Sequence, residues 1–591
     1  MLSNPLSASA DATEPLPRVL IIGLDGATFD LIKPWAAEGR LPTFKKLMES
    51  GAWGESIVDL PPGTVPNWPS FATGKNPGKH GLIWWVKQDP KSGDSTVISS
   101  ADLQGQTLWD IAGQHGLQVG VINMPVIYPP YPVNGFMISG LLTPPGATNF
   151  TYPADLRVEL ETNVGEYRVF PKVFFRKGSE SAYLADLHQT LDLRANAVRY
   201  LMQNKAWNLF VVVFGATDWA MHAFWKYHDS NHPRHNPQEA RELGHALRSI
   251  YEHADRVVGE LLELAGENTH VFIMSDHGAG PAAAKVMVNN WLLDIGLLKI
   301  KRAPLSQLKY WLFRLGFVPE NVYPLASAFR LLNPRVKRTL DPRRKGKKSL
   351  IRRVFLSFND VDWARTQAFT LGGMGQIFIN LKGRNPFGCV EAGAEYDNLR
   401  EYIIRRVAEI KLPDGKPFVK RVYRKEELYH GDFMDRMPDL LLFPSDMRYL
   451  DSGIEFFTNR LFSRVEVNSG AHRTNGVFML WGPHVKSGLE LNSVGDSELP
   501  FRPELPFRVS IRDIAPTALH LLGLPVPEDM DGKVITHALT EEFMASHPVQ
   551  TAAPQSFVGG GRGGMEFAGG FASEEDEKLI RQRLTALGYL D

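Results

Sequence analysis

Short, uninterrupted apolar runs recur along this chain, and they constrain its fold more than any other feature. Residues 18–22, 118–122, 209–214 and 270–274 are dominated by Val, Ile, Leu and Phe, without the polar and apolar alternation of a half-wet strand. A strand that is apolar throughout must be covered on both faces, as in a parallel sheet sandwiched between helices. The intervening segments carry helical spacing instead. Within residues 237–264, Leu243, Leu247, Ile250 and Ala254 share one face, and Pro237 suits a first turn. Strands alternating with helices predict an α/β fold with a largely parallel central sheet and helices on both faces. Further strands are predicted at 368–371, 377–381, 440–443 and 477–481, some of them in a smaller sheet.

With 591 residues, the chain exceeds the ~250–300 at which single cores stop growing, so one large domain with insertions, or two domains, is expected. The rhythm breaks near residue 298. Leu308, Trp311, Leu312 and Leu315 predict a helix there, and residues 335–353 then hold ten Lys and Arg against one Asp. We read 298–359 as an inserted basic cap between core segments 18–297 and 360–545. A charge run is ordinarily a solvated loop; the sharper readings are a collar for an anionic substrate or a weak contact with an anionic membrane. Residues 1–17 are expected to be disordered and 546–572 to be a Gly-rich linker. In 573–591, Ser573 is a candidate N-cap with Asp576 three residues on, Ile580, Leu584 and Leu587 form one apolar face, and Gly588 ends the helix. That face is expected to dock back onto the body.

Lys plus Arg and Asp plus Glu both number 65, so no global field draws the chain to nucleic acid, and no nucleic-acid polymer is expected as a partner. The N-terminus has no basic cluster followed by an apolar run, and no apolar stretch of about 18 residues stands out, so a cytoplasmic protein without a spanning helix is expected. Cys389 is the single cysteine. Metal ligands would therefore be imidazoles and carboxylates.

Polar clusters directly follow three of the apolar runs: Asp25 the first, Asp218 with His222 the third, and Asp276 with His277 the fourth. Ligands of open α/β sheets bind at the carboxyl ends of strands, so these groups are placed to converge on one crevice. Asp218 and His222, four apart, share a helix face and can hold one ion together, although a salt bridge is the ordinary alternative. Imidazole and carboxylate without thiolate suit zinc, manganese or iron at an open catalytic site. A fourth cluster, residues 62–69, packs Pro, Gly, Thr64 and Asn67 into a turn that can hold one hydroxyl rigidly. Threonine ionises too weakly to attack at neutral pH, and a dication is one accepted remedy. Turn chemistry alone also accounts for Thr64, with Asn67 as a cap. Trp84, Trp85, Trp219, Phe224 and Trp225 lie beside the motifs; core packing is their ordinary role and stacking on a leaving group the sharper one.

The motifs are Gly23-Leu24-Asp25-Gly26, Thr64-Val65-Pro66-Asn67, Thr73-Gly74 to His80-Gly81, Asp218 with His222, Ser275-Asp276-His277-Gly278 and Gly470-Ala471-His472. Asp513-Ile514-Ala515-Pro516-Thr517, Leu522-Gly523-Leu524-Pro525 and Asp531-Gly532 follow. In order and spacing this set resembles the alkaline phosphatase superfamily, in its type I phosphodiesterase and nucleotide pyrophosphatase branch, over about residues 18–535. The resemblance implies two divalent metal ions, zinc with manganese as the alternative. One would be held by Asp218, His222 and His472, the other by Asp25, Asp276, His277 and Thr64. It implies Thr64 as nucleophile, a phosphothreonine intermediate, and Asn67 with the Thr64 N–H as donors to a phosphoryl oxygen. The implied substrate is a small phosphoester, phosphodiesters favoured. A phosphomonoesterase, phosphotransferase or phosphomutase of the same superfamily, or a non-catalytic anion-binding protein, are the alternatives. His472 stands before Arg473-Thr474-Asn475-Gly476, a departure that leaves nucleotide specificity open. The absence of arginine in residues 65–69 argues against the sulfatase branch.

Overall fold

The computed structural model describes residues 17–88, 95–319, 321–322, 354–451, 457–465, 468–491, 508–554 and 573–587. All four apolar runs become consecutive neighbouring strands at the centre of a ten-stranded sheet. In chain order the strands are β1 (Arg18–Leu24), β2 (Ala52–Ile57), β3 (Val119–Met124), β4 (Gly135–Ser139), β5 (Thr151–Tyr152), β6 (Leu209–Phe214), β7 (Thr269–Met274), β8 (Asn475–Trp481), β9 (Leu489–Glu490) and β10 (Val509–Ser510). Laterally they lie in the order β9-β2-β8-β7-β1-β6-β3-β4-β5, with β10 also paired to β2. From β7 through β4 the pairing is parallel; β8 runs antiparallel between β7 and β2. Every residue of β3, β6 and β7 is buried. Burial of both sides explains why these segments could dispense with polar alternation, and their apolar side chains form the middle of the central core.

The helices that matter for the site are α1 (Thr64–Thr73), α2 (Glu180–Asn204), α3 (Ala216–His228), α4 (Ala246–Ala265), α5 (Ile514–Leu521) and α6 (Glu574–Leu587). The single helix predicted over 237–264 is two, Pro237–Leu243 and α4. Gly244 caps the first, its N–H bonded to the Ala240 carbonyl at 2.8 Å, and glycine is, after proline, the weakest residue at which to continue a helix.

The expected second core segment, 360–545, divides. Residues 477–481 enter the main sheet as β8, but Ala368–Phe369, Gln376–Ile379, Leu440–Pro444 and Val419–Arg424 form a separate four-stranded antiparallel sheet in that lateral order. It packs with Ile403 and Val407 of the helix Ala394–Val407, and with Leu292, Leu298 and Phe313, in a second hydrophobic core reaching from Val286 to Phe457. The predicted helix within the basic cap is Pro304–Arg314, and it belongs to this second core as well. Local apolar runs mark strands without saying which sheet they join, because that depends on pairing partners distant in sequence. Residues 335–353, 1–16, the Gly-rich segment 557–570 and Gly588 lie outside the described residues.

The late motifs act on α1 through the backbone. The N–H groups of Asp531 and Gly532 both donate to the Gly74 carbonyl, at 2.8 and 3.0 Å. The Asp531 carboxylate accepts from Asn76 N–H at 2.7 Å and from Lys79 Nζ at 2.6 Å. Burial would raise the pKa of Asp531, but the Lys79 and Asn76 hydrogen bonds outweigh it and hold the group at about 2. These contacts clamp the C-terminal end of α1, whose first residue is Thr64. In α6 the Asp576 N–H donates to Ser573 Oγ at 3.1 Å, and Ile580 and Leu584 are fully buried against the body. Burial of two such side chains contributes about 1.5–3 kcal/mol each, enough to hold a helix of this length in place. Among the described residues, no helix is long and apolar enough to cross a membrane.

Candidate active site

Each cluster hangs from the carboxyl end of a strand whose place in the sheet is already set. Asp25 follows β1, and its N–H continues the pairing with β6 by donating to the Phe214 carbonyl at 3.0 Å. Thr217 Oγ1 donates to the Asp25 carbonyl at 2.5 Å, and the Trp68 indole to Asp25 Oδ2 at 3.3 Å. Asp276 follows β7, its Oδ1 accepting from the Gly26 N–H at 3.2 Å. Gly26 has φ +63°, and a Cβ there would lie 3.0 Å from Asp218 Oδ1 and 3.2 Å from His277 Cε1. Only glycine combines that backbone with so close an approach of ligands. Asp218 and His222 stand one turn apart on α3, after β6. His472 arrives on the strand Gly470–Arg473, which pairs antiparallel with Gly278–Pro281 so that His472 lies opposite Ala279.

The side chains meet in one buried cluster. Asp218 Oδ1 lies 3.3 Å from His222 Nε2 and 3.5 Å from His472 Nε2, and these two nitrogens are 3.1 Å apart. His277 stacks on His472 with ring centroids 3.6 Å apart. His277 Nε2 lies 3.6 Å from Asp25 Oδ1 and 3.3 Å from Asp276 Oδ2. Ligand atoms of Asp218, His222 and His472, and those of Asp25, Asp218 and His277, fall within metal-binding reach of one another. Asp218 is common to both groups, so the two half-sites share a wall.

The donor set fits cations on its own chemistry. His222 Nδ1 faces the Gly470 carbonyl at 3.1 Å, His472 Nδ1 the Pro62 carbonyl at 3.0 Å and His277 Nδ1 the Gly278 carbonyl at 3.0 Å. A carbonyl only accepts, so each Nδ1 carries the hydrogen and each neutral ring turns an Nε2 lone pair inward. Asp25 Oδ1, Asp276 Oδ2 and His277 Nε2 are buried and have no hydrogen-bond partner. Lone pairs facing lone pairs in a dry pocket are stable only with positive charge between them.

The same crowding perturbs titration. Burial, then the charges of Asp276 and Asp218, push Asp25 well above the usual carboxylate range. Burial and the Asp218 charge push Asp276 up to about 8. Burial would raise Asp218 too, yet His222 and His472 outweigh it and hold it low. Burial, and then the neighbouring His472, hold His277 low. Without metal, folded Asp276 keeps a proton that the unfolded chain, with a carboxyl near 4, releases between about pH 4 and 8. Stability of the chelated protein therefore falls as pH rises through that window. We expect the melting temperature of the EDTA-treated protein to drop by a few degrees between pH 5 and pH 8, and that of the metal-loaded protein to stay level. Parallel curves for the two samples would contradict this.

A model of the type I phosphodiesterase / nucleotide pyrophosphatase family matches residues 19–454. The chain belongs to that family, within the alkaline phosphatase superfamily. Its members hydrolyse phosphoesters with the help of metal, and the protein is accordingly a phosphoric ester hydrolase. Among solved structures, phosphonoacetate hydrolase from Sinorhizobium meliloti 1021, in complex with phosphonoacetate, is 15% identical with a TM-score of 0.48, covering 86% of this chain and 97% of that one. Human ectonucleotide pyrophosphatase / phosphodiesterase 5 is 12% identical with a TM-score of 0.45, covering 88% and 99%. No curated protein matches the chain. The family match ends before His472, whose place beside Asp218 and His222 is a tertiary fact.

Two residues brace the loop and helix that carry Thr64. Asn67, expected to donate to a phosphoryl oxygen, is fully buried with its amide committed to its own loop. Its Oδ1 accepts from the Asp59 N–H at 2.6 Å, and its Nδ2 faces the carbonyls of Asp59 at 3.1 Å and Gly63 at 3.0 Å. Backbone groups in a turn without ladder partners need such an amide, so these bonds fix the shape of the loop before Thr64. Asn67→Ala would orphan the Asp59 N–H and is expected to cost about 2–3 kcal/mol, read as a lower denaturation midpoint. Trp68 was overlooked: it lies four residues after Thr64, on the same face of α1, and holds Asp25. That helix spacing was the available signal. Trp85, Trp219, Phe224 and Trp225 are buried in the main core, in keeping with packing.

Proposed function

We propose that the protein is a two-metal phosphodiesterase that works through a phosphothreonine at Thr64. The observation carrying this is the state of Thr64: its Oγ1 is buried and without a hydrogen-bond partner, at the first residue of α1. The loop before it is held by His472 through the Pro62 carbonyl, and the helix after it by the Trp68 indole on Asp25. A buried hydroxyl without a partner costs stability unless its use lies elsewhere. In this reading Asp218, His222 and His472 hold one ion, and Asp25, Asp276, His277 and Thr64 the other, zinc being favoured over manganese by the imidazole content. Bound cations supply the positive charge that makes a threonine hydroxyl acidic enough to react and neutralises the phosphoryl oxygens.

The chain's own residues account for the remaining requirements. The Thr64 and Val65 N–H groups open α1 and have no intrahelical acceptor, so they present donors and the positive helix end to a phosphoryl oxygen. Pro66 and Pro69 stiffen this first stretch, and the Asp59–Asn67 bonds fix the loop's shape. Thr64 Oγ displaces the leaving oxygen in line, and water then cleaves the phosphothreonine. Two inversions leave the configuration at phosphorus unchanged.

A panel of aryl phosphomonoesters and phosphodiesters, assayed with zinc and with manganese, tests the reading together with acid quenching and mass analysis of the Thr64 peptide. We expect diesters to turn over fastest and a phosphorylated Thr64 peptide to accumulate. Monoesters turning over fastest would establish the phosphomonoesterase alternative. A product carried by an added alcohol in place of water would establish the transferase, and no turnover with either metal would leave an anion-binding protein. We place the protein in the cytoplasm, a location in keeping with its one free cysteine, Cys389.

A further inference from the structure

The helix Pro304–Arg314 is held by one face and offers apolar side chains on the other. Ser306 Oγ donates to Asp360 Oδ1 at 2.8 Å, Lys309 Nζ to Asp360 Oδ2 at 3.1 Å, and Phe313 packs in the second core. On the opposite face Leu305, Leu308 and Trp311 are 62%, 56% and 66% exposed, and Leu315, just past the helix end, is 83% exposed. Their spacing of three, three and four residues keeps them in one stripe. They make up four of the nine large apolar side chains that are exposed among the described residues. Scattered exposed leucines are ordinary, but a contiguous stripe with a tryptophan in it marks a contact surface.

Charge identifies the occupant. Residues 298–353 carry sixteen Lys and Arg against Glu320 and Asp341, in a chain whose totals are equal. Lys301, Arg302 and Arg314 are exposed at the two ends of the stripe. An apolar helix face bordered by cations suits a surface that is apolar beneath and anionic at its rim, which is a bilayer containing acidic lipid. We propose that this helix seats the protein in the plane of an anionic membrane, with Leu308 and Trp311 entering the acyl boundary and the flanking cations on lipid phosphates. Such an attachment is peripheral and reversible, independent of the phosphoesterase site.

The test uses the full chain with vesicles of phosphatidylcholine alone and of phosphatidylcholine mixed with phosphatidylglycerol. Wild type is expected to co-sediment with the acidic vesicles at least about tenfold better than with neutral ones, and to be released by added salt. The double variant Leu308→Ser, Trp311→Ser should lose at least about tenfold of that partition while hydrolysing a soluble aryl phosphodiester at the wild-type rate, which reports that it is folded. Sedimentation velocity without lipid completes the comparison, with a monomer expected for both forms. Wild type remaining in the supernatant with both vesicle types would overturn the proposal. So would a double variant that sediments like wild type, since the basic stretch alone would then bind. A wild-type dimer that the substitutions dissociate, with no lipid binding, would assign the stripe to self-association.

Discussion

Thr64→Ala is expected to reduce turnover of an aryl phosphodiester by about 10³-fold or more, since in the proposed mechanism the Thr64 hydroxyl carries the phosphoryl intermediate. The melting temperature of the metal-free protein should stay at the wild-type level, and metal should still bind through the remaining ligands Asp25, Asp276 and His277. The Thr64 hydroxyl has no hydrogen-bond partner to lose, so its removal leaves nothing newly orphaned. This separation distinguishes the nucleophile from its support. Asn67→Ala should damage stability and activity together, because its amide bridges the backbone of Asp59 and Gly63. The two variants would be compared by steady-state kinetics, metal analysis and denaturant titration on the same preparations. Activity of Thr64→Ala near wild type would end the phosphothreonine reading.

Asp218→Asn is expected to reduce kcat/KM by about 10²-fold or more and to lower the occupancy of both half-sites. The reason is its position. Its carboxylate faces His222 and His472 at 3.3 and 3.5 Å and also belongs to the group formed with Asp25 and His277. Replacing the charge with a neutral amide weakens cation binding on either side of the shared wall. Metal content measured on the purified variant checks this directly, with zinc titration restoring activity only at much higher concentration. Asp192→Asn serves as control, since Asp192 bonds His253 at 2.8 Å on α2 and α4, apart from the cluster. Unchanged metal affinity in Asp218→Asn would assign the cations elsewhere.

The family motifs were readable because they are local. Asp25, Asp218, and Asp276 with His277 each sit within four residues of an apolar run, with His222 one helical turn after Asp218, and a strand delivers the residues at its end to a predictable edge of the sheet. The role of Asn67 was not readable. An asparagine three residues after Thr64 is compatible with donating to substrate or with holding the loop, and only the structure shows its Oδ1 accepting from the Asp59 N–H at 2.6 Å. Sheet membership was also hidden, because strands such as Leu440–Pro444 look alike whether they extend a large sheet or build a small one. The apolar spacing of Pro304–Arg314 predicts a helix in sequence without saying which face is covered. Its leucines point outward because Lys309 and Ser306 are engaged by Asp360, which turns the other face inward.

By itself the sequence determined that this chain builds a covered parallel sheet and offers imidazoles and carboxylates, without thiolates, at its strand ends. These properties reside in short stretches, where side-chain shape and hydrogen-bonding type act on immediate neighbours. Tertiary structure alone decided that His472 comes within 3.1 Å of His222, that Asp218 is common to both groups, and that Asn67 is occupied by its own loop. Those outcomes depend on the register of Gly470–Arg473 against Gly278–Pro281 and on backbone groups seeking partners across about 250 residues, distances over which no local pattern carries information.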